Sequence, residues 1–127
     1  MSDDTLSSKF TINSDKSMSY ESLADGVTFV GPHFIKVEPP EDSQTYSFVF
    51  NAESGFQFES VNIWEDGGMT FDPTTPQKVS SFTVTNTTSS EDGWQRCGFT
   101  VALASTDRGG QSIVVDPTIV NNPDQGG

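Results

Sequence analysis

One histidine and one cysteine bound the chemistry open to this chain of 127 residues. His33 follows Gly31-Pro32 and stands beside Phe34. Any Ser-His-Asp or Cys-His arrangement would have to use it, and a triad places strict geometric demands on its histidine. The sequence holds no Gly-x-Ser-x-Gly, no phosphate-binding loop and no Gly-x-Gly-x-x-Gly. His33 is therefore expected to be a surface or packing residue. Cys97 alternates with Phe99 and Val101, so it reads as a small buried hydrophobe. A reactive thiol needs a basic neighbour, and Arg96 points to the opposite face of the same strand. A lone cysteine excludes an intrachain disulfide. Zinc and copper usually take three or four nitrogen and sulfur ligands, more than this chain offers.

Oxygen ligands are more plentiful. Glu65, Asp66 and Asp72 fall within the segment Glu65–Gln77, and Glu91-Asp92 falls in another. Calcium takes six to eight oxygens, often from loops, but no EF-hand run is present. Loop acids are normally there to be solvated. No cofactor is expected, with calcium as the alternative and Glu65, Asp66 and Asp72 as its first candidate ligands. Three aromatic residues at strand ends or in loops, Trp64, Phe71 and Trp94, would stack on sugar rings if exposed and cap a core if buried. Burial is the expectation, because the chain is poor in Leu and must build its core from ten Phe.

Eighteen acidic residues face six basic ones, a formal charge of −12. Nucleic acid and anionic membranes need a basic footprint. Lys9, Lys16, Lys36, Lys78, Arg96 and Arg108 are scattered along the chain, so neither partner is expected. The excess acid serves solubility, with a cationic partner or a divalent metal as the alternative. The N-terminal residues have no basic region followed by an apolar run, so no signal peptide is read there. No stretch reaches the ~18 apolar residues of a membrane helix. A cytoplasmic protein is expected.

The elements that must position these residues are strands. Thr, Ser, Val and Phe are abundant while Leu and Ala are scarce. Ser8–Asn13, Thr45–Phe50, Lys78–Asn86 and Gln95–Leu103 alternate, and the last does so most regularly. Shorter runs occupy Val27–Val30, Phe34–Val37, Ser112–Val115 and Thr118–Val120. In Phe56–Trp64, Phe56 and Phe58 have one parity while Val61 and Ile63 have the other, so a bulge near Glu59-Ser60 is expected. The alternative is a strand covered on both faces. Asn13–Asp25 and Glu65–Gln77 read as loops, Met18–Ala24 as the one candidate helical turn, and Asp107–Gly110 as a turn. Residues 1–6 and 121–127 read as loose tails. Residues 1–127 thus form a single all-β domain, an immunoglobulin-like antiparallel β-sandwich of about seven to eight strands. The expected core is Phe10, Ile12, Phe48, Phe50, Phe82, Val84, Cys97, Phe99, Val101, Ile113 and Val115.

Asp92-Gly93-Trp94-Gln95-Arg96-Cys97 resembles the opening of strand F in immunoglobulin-like sandwiches. The match is one of architecture, because Gly93 follows Asp92 directly, Trp94 stands three residues before Cys97, and there is no partner cysteine. The pairs Glu38-Pro39 and Asp116-Pro117, with the chain length, resemble the DP-EP family of small bacterial proteins. That family has no assigned activity, so the resemblance implies no catalytic residue. Physically, each acid–Pro pair ends or bends an edge strand and blocks edge-to-edge pairing.

With sandwich loops present and catalytic groups absent, the expectation is a non-catalytic binding or assembly module, not an enzyme. A loop-borne calcium- or carbohydrate-binding module is the alternative, and a hydrolase comes third. A protein partner or self-association is expected, since few lysines guard the sheet edges.

Overall fold

The computed structural model describes residues 5–74, 76–106 and 112–121. Among them are eleven strands and one 3-10 turn. The strands are β1 Thr5–Ile12, β2 Met18–Ser22, β3 Val27–Phe29, β4 Phe34–Val37, β5 Gln44–Ala52, β6 Phe56–Glu65, β7 Thr70–Asp72, β8 Ser81–Thr88, β9 Gln95–Ser105, β10 Ile113–Val115 and β11 Thr118–Asn121. They form two sheets packed as a sandwich. One is ordered β2-β1-β5-β8-β7; the other is ordered β3-β4-β11-β9-β10, with β6 on the free edge of β9.

The all-β sandwich expected from the alternation is present, but both sheets are mixed where antiparallel sheets were expected, and eleven strands stand where seven to eight were expected. β1 runs parallel to β5, and β11 runs parallel to β4. Alternation assigns faces, but it does not assign the direction of a neighbour distant in sequence. The segments expected as loops each contain a strand that shows no clear period. In β2, expected as part of a helical turn, only Met18 is buried and the next four residues are exposed. In β7 only Phe71 is buried. The tail expectation is corrected at both inner ends. Thr5 and Leu6 already pair with Thr45 and Tyr46, and Asn121 is fully buried at the end of β11. Residues 1–4, 122–127 and the expected Asp107–Gly110 turn lie outside the described residues.

Asp116-Pro117 divides what is otherwise one strand. β10 and β11 pair with β9 in a single unbroken register, so Asp116 and Pro117 fall opposite Thr100 and Phe99. Proline has no N–H to give, yet its carbonyl still accepts from Phe99 N at 3.3 Å. Asp116 Oδ1 accepts from Thr100 Oγ1 at 2.7 Å. The interruption costs the ladder little, and the strand resumes in step.

Phenylalanine builds the core. Phe50, Phe82 and Phe99 meet at centroid distances of 5.3 to 5.8 Å, with Phe58 and Phe71 against Phe82. Tilted or offset aromatic pairs of this kind contribute ~0.5–1.5 kcal/mol each beyond the area they bury. Every expected core residue is buried except Ile113, which is half-buried against the cluster. Tyr46, Ile35, Val37, Phe58, Leu103 and Ile119 join it. One end of the core is polar. There Thr88 Oγ1 donates across the sandwich to Gln95 Oε1 at 3.0 Å, and Asn121 Nδ2 donates to the same oxygen at 2.6 Å.

Candidate functional site

Two irregularities in β6 decide what its outer face presents. The first lies between Phe58 and Ser60 and leaves Glu59 as the extra residue. It returns Val61 to the inner face with Phe58, as the mixed parity of the strand required. The second lies between Ile63, opposite Phe99, and Glu65, opposite Gly98, and leaves Trp64 unpaired. A bulge re-aims the side chain it carries, and here it lays the Trp64 indole across Gly98. A Cβ built at Gly98 would collide with three ring carbons of Trp64. Gly98 shows no left-handed φ, so conformational freedom does not explain it. It is the vacancy in β9 that accommodates the ring.

Charge fixes the indole further. The Arg96 guanidinium carbon sits 5.9 Å from the Trp64 ring centroid, a cation–π contact contributing ~0.5–1 kcal/mol at an exposed site. Arg96 Nε donates to Glu65 Oε1 at 2.9 Å. Both partners are about half-exposed, so the pair contributes only ~0.2–1 kcal/mol; its effect is to orient Arg96. The turn from β6 into β7 closes over the same spot. Met69 N donates to Asp66 O at 2.8 Å, with Gly67 and Gly68 at φ 58° and 79°. Gly67 lies so close to the Arg96 backbone that a side chain there would overlap it. Trp64 nonetheless remains 50% exposed, and Trp94 at the mouth of β9 is 69% exposed. Both tryptophans lie open where burial was expected, whereas Phe71 is buried as expected, at 4%.

The structure separates the candidate calcium ligands by task. Glu65 is engaged with Arg96, and Asp66 Oδ1 accepts from Gly68 N at 3.0 Å within the turn. Asp72 is exposed at the end of β7. Among the described residues no group of three His, Cys, Asp or Glu side chains is gathered as a metal could require. His33 Nε2 lies 2.7 Å from the Lys16 carbonyl; a carbonyl only accepts, so this nitrogen carries the proton. Cys97 is fully buried, and burial, followed by the charges of Asp66 and Glu65, pushes its thiol up to about 12. At neutral pH it is a protonated core side chain, not a nucleophile. Among the described residues, no helix is long and apolar enough to cross a membrane.

The second bulge and the role of Gly98 were missed from the sequence. A signal existed: a glycine inside the most regular strand of the chain marks a close approach by something large.

The molecule is thus an all-β sandwich with a half-exposed tryptophan laid over a glycine on one outer face. No family model matches its sequence, and no curated protein does. Among solved structures, the chain is similar to the crystal structure of the inclusion body protein PixA from Burkholderia cenocepacia J2315. The TM-score is 0.48 and the identity 9%, over 98% of each chain.

Proposed function

We propose that this chain is a non-catalytic binding or assembly module that meets its partner with the outer face of the β6–β9 pair around Trp64. The observation that carries this is the Trp64 indole seated over Gly98 with Arg96 at its ring. Half-exposed tryptophan is unfavourable in water, and ordering it normally costs entropy at the moment of binding. Here the bulge, the missing Cβ and the Glu65–Arg96 pair have ordered it beforehand. Tryptophan and arginine are also the residues most enriched at energetic centres of interfaces. The partner is a protein or a second copy of this chain, met in the cytoplasm.

A carbohydrate is the second reading. It is favoured by a flat ring flanked by the hydrogen-bonding groups of Arg96 and Glu65. Calcium at Glu65, Asp66 and Asp72 has less support, because two of the three carboxylates already have partners. Membership of the DP-EP family and an immunoglobulin-like topology belong to the same proposal. What supports the immunoglobulin-like reading is the antiparallel return of β10 along β9.

The test uses immobilised wild-type protein and Trp64→Ala against an extract of the native host, alongside a glycan array. A partner or glycan retained at least tenfold better by the wild type supports the reading. Equal retention by both proteins overturns it.

A further inference from the structure

At another place in the fold, a cleft of about 310 Å3 is lined by Leu6, Asp25, Glu38, Pro40, Gln44 and Tyr46. Two carboxylates alone would be ordinary surface acid. Tyr46 distinguishes the place. Its ring is buried, and its hydroxyl, to which no protein group among the described residues is seen to hydrogen-bond, opens to the cleft. The hydroxyl lies at Gly26, 3.4 Å from where a Cβ would stand, with the Glu38 carbonyl beside it. Gly26 holds φ 84° and accepts from Glu38 N at 2.8 Å, so the loop before β3 is tied to the end of β4. That tie brings Asp25 and Glu38 to the rim. Burial and then the Asp25 charge push the Tyr46 phenol up, so it stays protonated and neutral at physiological pH.

We propose that this cleft binds a primary ammonium group. Such a group brings one positive charge and three N–H donors. The Asp25 carboxylate, the Glu38 carboxylate and the free lone pair of the Tyr46 hydroxyl supply three acceptors, and Leu6 and Pro40 supply apolar surface for the attached methylenes. The −12 charge of the chain draws such a cation in. One of the carboxylates already takes an ammonium: Lys36 Nζ sits 3.2 Å from Glu38 Oε2, across a pair exposed enough to be displaced. The site is distinct from the Trp64 face and does not depend on it.

The probe is n-butylammonium chloride, titrated at pH 7 into the 15N-labelled full chain and followed by amide chemical shifts. N-α-acetyl-lysine amide represents the same group on a protein partner, and n-butanol and calcium chloride serve as comparators. The expected result is saturable shifts at Gly26, Glu38 and Tyr46 with the two ammonium probes and none with butanol. Asp25→Asn, an exposed change, should weaken binding at least tenfold. Tyr46→Phe, which keeps the ring, should weaken it several-fold, and Lys36→Ala should tighten it by removing the competitor. Stronger saturation by the lysine amide than by butylammonium assigns the group to a polypeptide; the reverse assigns it to a small amine. Linear shifts, equal shifts with butanol, saturation by calcium alone, or unchanged affinity in Asp25→Asn would overturn the proposal.

Discussion

The two outer faces of this sandwich are built by opposite rules. On the β1-β5-β8 face the cross-strand rows are short hydroxyl side chains: Thr5, Thr45 and Thr87 in one, Ser7, Ser47 and Thr85 in the next. Thr45 and Thr87 bond through their hydroxyls at 2.7 Å. Threonine is a good strand former with little to offer a partner, and such a face is satisfied by water. On the β6-β9 face the strand is bulged, a glycine interrupts the best alternating run, and the space so made holds an indole. The first sheet has one irregularity, between Lys9 and Phe10 where β1 meets β2, whereas β6 alone carries two.

Both faces rest on the same phenylalanine centre, so the largest expected effect lies beneath them. Phe99→Ala removes a fully buried ring that Phe50, Phe71 and Phe82 all contact. It should destabilise the fold by ~3–5 kcal/mol in urea unfolding. A loss under ~1 kcal/mol would mean the sheets do not share that centre. Gly98→Ala comes next, at ~1–3 kcal/mol, because the new methyl group must push the indole aside. The double variant Trp64→Ala with Gly98→Ala should cost less than the two single changes added together. Additive costs would separate Gly98 from Trp64 and remove the reason given for the glycine.

Alkali tests the burial beneath the aromatic face. In the unfolded chain the Cys97 thiol releases its proton near 9, whereas the folded chain holds it to about 12. The unfolded state then binds fewer protons, so stability falls as pH rises between those values. The slope is ~1.4 kcal/mol per pH unit for this group. Tyr46, also raised, adds a fall in the same direction above its ordinary value of 10.0. Cys97→Ala should flatten the first part of the curve; an unchanged slope would place the thiol in water. The smallest effect belongs to the hydroxyl face, where Thr85→Ala should change stability by no more than ~0.5 kcal/mol and leave partner binding intact.

The sequence made the inner faces legible and left the outer ones obscure. Cys97, Phe99, Val101 and Leu103 announced their burial by alternation, and the conflict between Phe58 and Val61 announced a bulge. Burial repeats along a strand and leaves a period to read. β2 and β7 left none, having one buried residue each. The parallel pairs β1–β5 and β4–β11 join strands far apart in the chain, which no local pattern encodes. Burial of Trp64 and Trp94 is the expectation because a Leu-poor chain must build its core from aromatic residues. What exposes Trp64 is the bulge and a single missing Cβ on another strand, and that is a relation between two segments.

The most direct test is a nuclear magnetic resonance spectrum of the 15N-labelled chain in an extract of its native host, compared with the spectrum in buffer. Amide signals of Trp64, Trp94, Arg96 and Gly98 should broaden or shift while those of Thr45, Ser47 and Thr85 stay sharp. Broadening confined to the threonine rows, or spread evenly over both faces, would contradict a partner site around Trp64.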